Sequence, residues 1–371
     1  MRLGLVIYGR LDQLSGGYLY DRQVVQGLRR RGHAVRLISL ADRGYLRNLL
    51  SGFTHRRLFP SDLDCLLQDE LCHPSLVAAN RRLRRNGFTG RIVALLHHPL
   101  SAEARAEWVN RLYARVERAY FAGVDAVVCT SDATRSALAR LAQPDLPSLA
   151  APPGRDHLRG ELDEETIRRR AQEPGPLQIL FLGNLIPRKG LDTLLRALAS
   201  LPQQGWELTV AGSAHLAPSF AARLRRQAEA LGLNGRLRWL GPLSHPELEE
   251  LLPRMHLLAV PSQHEGFGIA YLEGMAYGLP ALASASGGAR DLVRDGENGY
   301  LIPPGDEQAL ARRIRELSDD RGRLAELGRA ARRTWETHPT WQETAAAIEA
   351  YLTNSPADPA EADPASRGSR S

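Results

Sequence analysis

The sequence predicts an α/β fold made of two doubly wound, parallel-sheet domains in tandem, facing a central cleft. Three observations carry that prediction. The chain has 371 residues, too many for one comfortable hydrophobic core, so two domains are the natural division. Short apolar runs alternate with amphipathic stretches along the chain, the pattern of strands joined by helices in a parallel sheet covered on both faces. The alternation breaks once, at residues 143–176, in a segment rich in Pro, Gly and charge, and then restarts.

LGLVIYG (3–9) opens the first set as a buried strand, not a signal peptide, because its apolar run is short and polar residues follow at once. The loop RLDQLSGG leads to a helix near 18–32, and HAVRLISL (33–40) is the second strand. DCLLQDE (64–70) and RIVALLHH (91–98) follow, separated by the helix-like PSLVAANRRLRRNG. A long helix near 102–121, the strand DAVVCTS (125–131) and a helix near 132–142 complete this half. The second set runs LQILFLGN (177–184), WELTVAGSA (206–214), RLRWLGPL (236–243), HLLAVPS (256–262), PALASAS (280–286) and GYLIPP (299–304), each with a helix after it. The expected divisions are a first domain at 1–160, a linker at 161–176 and a second domain at 177–335. A helix within 336–353 is expected to pack back on the first domain. The Pro/Ala/Ser-rich tail 354–371 has no apolar periodicity and is expected to be disordered.

The apolar fraction of 43% and charged fraction of 24% are those of a soluble globular protein. No apolar run reaches the roughly 18–20 residues that span a bilayer. Cys65, Cys72 and Cys129 form neither an even disulfide set nor a CxxC pair, which fits a reducing compartment. Net charge is +6 but uneven: residues 1–150 hold 22 arginines against 13 acidic groups, and the remainder 26 basic groups against 29 acidic. A basic front half suits an anionic partner such as a membrane surface or a phosphorylated substrate, or is a set of solvated helix faces. The amphipathic stretch WVNRLYARVERAYF (108–121) is the candidate membrane surface. Nucleic acid is not expected, since no basic stretch is interleaved with aromatics.

The chemistry concentrates at strand ends, where ligands of doubly wound sheets bind. In PSQHEGFGIAYLEGMAYGLP (261–280) a strand gives way to a helix through Gly266 and Gly268. Free N–H groups there favour an anion, and the absent side chains admit a ligand to the backbone. Glu265 stands just before that helix and Glu273 is expected a little over two turns in. Around a diphosphate, the two carboxylates can accept bonds from sugar or ribose hydroxyls at opposite ends of the ligand. In FLGNLIPRKGLDTLLRAL (181–198), Arg188 and Lys189 follow another strand end and can neutralise a diphosphate without metal. Lys189 is also the chain's single lysine. Gly16 and Gly17 lie between the first strand and its helix, without the full GxGxxG spacing. The D-x-D of SDLDC (61–65) begins a strand instead of ending one, so no metal role is expected for Asp62 and Asp64, and no His/Cys cluster has zinc spacing.

Taken together, these stretches resemble the retaining glycosyltransferases of family four, which have two Rossmann-like domains around a cleft, the GT-B architecture. The resemblance covers roughly residues 1–355 and rests on the E-x7-E pair Glu265 and Glu273, FLGN…RKGLDTLL, the SGG loop at 15–17, VVCTSDATR (127–135) and SGGARDLVRDGENGYLIPPGD (286–306). It implies a hexosyl transfer from a nucleotide-diphosphate sugar to an acceptor hydroxyl, with retention, no cofactor and no metal. The acceptor is left open among cell-wall, exopolysaccharide, glycolipid and small-molecule hydroxyls. From the cysteines and the basic front half, the expected location is cytoplasmic, with peripheral contact at the inner face of the membrane as an option. By the same resemblance Glu265 binds donor-sugar hydroxyls near the reacting centre and Glu273 holds the ribose. Gly266, Phe267 and Gly268 line the donor, Arg188 or Lys189 neutralises the diphosphate, and Gly17 approaches it from the opposite domain. Asn184 stands where the family usually has arginine. A histidine of LLHHPL (95–100) belongs beside the anomeric centre; matching H-x-L selects His98, with His97 the runner-up and an acceptor contact. Asp69 and Glu70, ending another strand, are expected to touch the acceptor or to cap a turn. Two rivals share the architecture: a nucleotide-sugar 2-epimerase, which would release a 2-epimer, and a non-catalytic sugar-nucleotide-binding protein, which would bind without turnover.

Overall fold

The computed structural model describes residues 1–13, 15–51, 59–60, 62–103 and 105–354. The tail expected to be disordered lies, from residue 355 on, outside the described residues. Among the described residues, twelve strands form two six-stranded sheets, every pairing parallel. The first contains β1 (Arg2–Tyr8), β2 (Ala34–Leu40), β3 (Cys65–Asp69), β4 (Arg91–Leu96), β5 (Ala126–Cys129) and β6 (Ser148–Ala150), in the order β2-β1-β3-β4-β5-β6. The second contains β7 (Leu177–Leu182), β8 (Trp206–Ala211), β9 (Leu237–Gly241), β10 (Leu257–Val260), β11 (Ala281–Ser284) and β12 (Gly299–Ile302), in the order β12-β11-β10-β7-β8-β9. Central strands are buried on both faces and read as continuous apolar runs, as in LGLVIY of β1 and LLAV of β10. The edge strands β2 and β9 alternate with exposed residues instead.

Strand order reverses between β1 and β3 in the first sheet and between β7 and β10 in the second. Such switch points leave a crevice at the strands' carboxyl ends, because the two neighbouring connections leave toward opposite faces. Asp69 ends β3, and Gly17, Lys189 and Glu265 lie in the connections that follow β1, β7 and β10.

The segment 143–176 is more than a connection. β6 pairs with β5 as the outer strand of the first sheet, and the helix Glu164–Gln172 buries Ile167 and Ala171. Its Arg170 donates to the carbonyls of Tyr277 and Gly278 at 2.9 and 3.1 Å. The expected helix near 102–121 starts late: a single turn spans Leu100–Ala102, and the helix proper is Glu107–Phe121. The helix Trp341–Thr353 places Trp341, Ile348 and Leu352 in the same apolar cluster as Leu19, Val24 and Leu28 of the helix Gly16–Arg30.

Candidate active site

The loops after β7 and β10 build the second domain's half of the site. The turn Pro187–Lys189 brings two cations over Glu265. Lys189 Nζ donates to Glu265 Oε1 at 2.6 Å, and Ser262 Oγ donates to the same oxygen at 2.6 Å. Arg188 Nη1 lies 3.7 Å from Glu265 Oε2 and donates to the His264 carbonyl at 2.8 Å. Glu265 is only 5% exposed. Burial alone would raise its pKa, but Lys189 and Arg188 outweigh it and hold the carboxyl at about 2. Burial likewise lowers the Lys189 pKa, more than Glu265 raises it. The carboxylate is therefore ionised throughout the physiological range.

Glu265 does not sit directly at the helix start. It forms an isolated parallel bridge with Gly287, and the helix is Ile269–Met275 with Gly268 (φ +95°) as its N-cap. Glu273 is accordingly just over one turn into the helix, not two. Gly266 is packed against the other domain: a Cβ there would fall 2.3 Å from the His97 carbonyl oxygen. Phe267 is buried, its ring centroid 5.6 Å from that of His338. Asn184 follows β7 in the same loop as Arg188 and Lys189.

The first domain's half comes from the loops after β1, β3 and β4. Ser15 caps the helix Gly16–Arg30, accepting from the Tyr18 N–H at 3.3 Å, and so fixes Gly17 at the helix start. Gly17 faces the His97 ring, whose Cδ2 would be 3.4 Å from a Cβ there. The two histidines that follow β4 point different ways. His97 turns inward, its Nε2 3.3 Å from Asp21 Oδ1 and 3.9 Å from Asp69 Oδ1. His98 faces the second domain: its Nε2 is 2.9 Å from Glu103 Oε1, and its ring is 6.0 Å from that of His264. Glu103 Oε1 is also 3.7 Å from Arg188 Nε. Burial, helped by Arg188, holds the His98 pKa below its ordinary value against the pull of Glu103. Asp69 does cap a turn, accepting from Leu71 N–H at 2.9 Å, and Glu70 Oε2 accepts the His97 backbone N–H at 3.0 Å. Both carboxylates are buried.

Further polar contacts join the domains. Ser131 Oγ donates to the Gly266 carbonyl at 2.7 Å, with Thr134 Oγ1 at 3.2 Å from the same oxygen. The backbone N–H of Ala133 donates to Asp291 Oδ2 at 3.0 Å. His157 Nε2 lies 3.0 Å from Glu273 Oε1, and Trp341 Nε1–H donates to His157 Nδ1 at 3.4 Å. With Nδ1 accepting, the His157 proton sits on Nε2 and is donated to Glu273. Sequence reasoning passed over His157, Glu103, Ser262 and Asp21. VVCTSDATR flagged the region of Ser131 and Thr134, but nothing in APPGRDH marks His157 as a partner of Glu273, 116 positions away. The D-x-D aspartates lie at the start of β3, remote from the strands' carboxyl ends. The Arg2 backbone N–H donates to Asp64 Oδ2 at 2.6 Å, and Arg2 Nη1 is 3.5 Å from Asp62 Oδ2.

Residues 163–334 match the family model described as glycosyl transferases group 1. Among curated proteins, the chain is 38% identical over 165 residues to a D-inositol 3-phosphate glycosyltransferase of Salinispora tropica, covering 42% of this chain and 34% of that protein. It is 37% identical over 179 residues to the protein of the same name from Mycobacterium bovis, covering 46% of this chain and 35% of that one. The matched stretch thus spans about a third of the length of these relatives. Among solved structures, sucrose-phosphate synthase of Thermosynechococcus elongatus superposes with a TM-score of 0.76 at 21% identity, over 94% of this chain and 98% of that chain. HepE of Anabaena in complex with UDP-glucose gives 0.73 at 20% identity, over 95% and 99%. At these identities the likeness is one of fold, and the fold is GT-B.

Proposed function

We propose, from the premise that residues 163–334 belong to the glycosyl transferases group 1 family, that this protein is a retaining glycosyltransferase. It moves a hexosyl group from a nucleotide-diphosphate sugar to an acceptor hydroxyl, with no metal at the diphosphate. The observation that carries this reading is the pairing of Lys189 and Arg188 with the buried Glu265 at a switch point of the second sheet.

On this reading Glu265 releases Lys189 to the donor. Lys189 and Arg188 then neutralise the diphosphate as the glycosidic C–O bond breaks, and Glu265 accepts hydrogen bonds from the sugar's hydroxyls. Asn184, Gly266, Phe267 and Gly268 line the donor, Gly17 closes on it from the first domain, and Glu273 accepts from the ribose. His98 stands beside the anomeric carbon. The acceptor hydroxyl attacks from the face the diphosphate leaves and passes its proton to the departing phosphate oxygen. Asp69, Glu70 and His97 belong to the acceptor side.

UDP is the first probe, because HepE, alike in fold, is known with UDP-glucose. Calorimetry should find a nucleoside diphosphate that binds equally well in excess EDTA and in magnesium. Lys189→Ala should weaken that binding by about 10–100-fold, the effect of losing one charge-assisted bond. Lys189→Arg should recover part of it, since charge remains but the geometry differs. A larger loss in Arg188→Ala than in Lys189→Ala would exchange their roles. Binding abolished by EDTA and restored by magnesium or manganese would sink the metal-free assignment.

The acceptor side carries an exposed apolar face. Leu46, Leu50, Trp108 and Leu112 are all at least half exposed. Their helices, Tyr45–Ser51 and Glu107–Phe121, are joined by the Tyr45 and Tyr113 rings with centroids 4.6 Å apart. Arg47, Arg111 and Arg115 lie on the same helices. Among the described residues no helix is long and apolar enough to cross a membrane. We assign the protein to the cytoplasmic side of an anionic membrane, in keeping with three free, buried cysteines. It should sediment with anionic vesicles at low salt and leave them at high salt. Absence of sedimentation at low salt would place the acceptor in solution.

A further inference from the structure

We infer that Asp21, Asp69 and His97 form a binding site for one divalent transition-metal ion inside the first domain. The three residues come from the helix Gly16–Arg30 and from the carboxyl ends of β3 and β4. Each is more than nine-tenths buried. Their donor atoms all lie within 4.8 Å of one another. Ligands at about 2.0–2.2 Å from a shared ion stand roughly 3–3.5 Å apart, close to the 3.3 Å from His97 Nε2 to Asp21 Oδ1. Asp69 Oδ1 lies 3.9 Å from the same nitrogen.

Two further observations point to a cation. Both Asp21 oxygens, Asp69 Oδ2 and His97 Nε2 are buried with no hydrogen-bond partner in the protein, and Glu70 Oε1 beside them is in the same condition. Buried carboxylates normally carry partners, because an unpaired charge in a low-dielectric interior is costly. Among the described residues, the only basic side chain within 4 Å of Asp21 or Asp69 is His97 itself. Three carboxyl groups thus face one imidazole, a donor set of one nitrogen and several oxygens gathered in one place.

The surroundings hold the ligands in place. Leu71 N–H fixes Asp69 through Oδ1, leaving Oδ2 for an ion. Glu70 Oε2 takes the His97 backbone N–H, Thr130 Oγ1 donates to the His97 carbonyl at 3.1 Å, and the Tyr20 ring stands edge-on with its centroid 5.4 Å from the imidazole's. Such outer contacts orient metal ligands. One nitrogen and two carboxylates, without a thiolate, suit Zn²⁺, Mn²⁺ or Co²⁺ better than Mg²⁺ or Cu⁺. The site is distinct from the exposed Asp62 and Asp64 and shares no ligand with the Lys189, Arg188 and Glu265 cluster.

The test uses the full chain without a histidine tag, stripped with chelator and titrated with Zn²⁺ by calorimetry and with Co²⁺ by visible absorption. One equivalent should bind, and Asp21→Asn or Asp69→Asn should each lower the affinity by at least about 100-fold, beyond the effect of losing an outer contact. His215→Gln, an exposed histidine elsewhere, should leave binding unchanged. X-ray absorption of the zinc-loaded parent chain gives a readout that needs no variant to fold: one imidazole with oxygen ligands is expected. Two or more imidazoles, no stoichiometric binding by the folded parent chain, or binding untouched by both aspartate variants would each overturn the site. The last two outcomes would leave Asp21 and His97 a proton-sharing ion pair.

Discussion

Glu265→Gln is expected to turn over donor about 100–1,000-fold more slowly than the parent chain, the usual loss when one preorganised group beside developing charge is removed. The amide keeps the shape and still accepts from Lys189 and Ser262, so the change isolates the charge. Folding should suffer less. Lys189 and Arg188 are 17% and 20% exposed, and water reaches both, so the broken ion pair should remove about 1–2 kcal/mol, less than a fully buried pair would. Turnover and the denaturant midpoint, measured on one preparation, separate the two effects. Near-normal turnover in a folded Glu265→Gln protein would take Glu265 off the catalytic list. Glu273→Ala supplies the contrast: it breaks the bond to His157 and should raise the donor KM with kcat little changed. Because Glu265 is held at about 2, its charge disappears only as pH falls through that value. An acid limb in the rate profile above pH ~4 would therefore belong to another group.

What the sequence made legible follows from how local each signal is. Strands buried on both faces announce themselves as apolar runs, and the loops that follow them are where ligands must bind. Lys189 and Glu265 were accessible to that logic because each lies a few residues beyond such a run. β6 was not, being three half-buried residues at a sheet edge, SLA, with Pro147 before and a proline pair soon after. The helix Glu164–Gln172 reads as a charged linker because Ile167 and Ala171 are its only buried apolar residues, and its anchor is Arg170, a residue type that composition places in solvent. The glycines suggest an earlier helix start than the Gly268 cap allows, so Glu273 sits a turn nearer the start than the sequence predicts. The inward turn of His97 and the outward turn of His98 depend on Asp21 and Glu103. No spacing rule connects positions 21, 69 and 97, since a parallel sheet brings together residues that its crossovers separate.

Gly154→Ala is the second change expected to have a large effect, and it reaches the site through a distant helix. The segment 151–157 cradles the start of the helix Trp341–Thr353. Arg155 N–H donates to the Pro339 carbonyl at 2.9 Å, Trp341 N–H to Asp156 Oδ1 at 2.6 Å, and Thr344 Oγ1 to the Pro152 carbonyl at 2.8 Å. A Cβ on Gly154 would lie 2.1 Å from the Trp341 nitrogen and 2.5 Å from its Cα. Those are backbone atoms of a helix start, which no side-chain rotation can clear. Alanine there meets no dihedral penalty, because Gly154 is not among the positive-φ glycines, so the whole effect is steric. The helix must shift or undock, exposing part of Trp341, Ile348 and Leu352. An overpacked core usually loses 1–3 kcal/mol and occasionally more, and here about 3 kcal/mol is expected. Gly235→Ala is the control, since nothing lies within 4 Å of a Cβ at that position. The shift also moves Trp341 away from His157, and His157 from Glu273, so the surviving folded fraction should show a raised donor KM. An unchanged denaturant midpoint for Gly154→Ala, beside an unchanged Gly235→Ala, would mean that this helix is not seated as described. A lowered midpoint with an unaltered KM would uncouple the helix from the Glu273 end of the site.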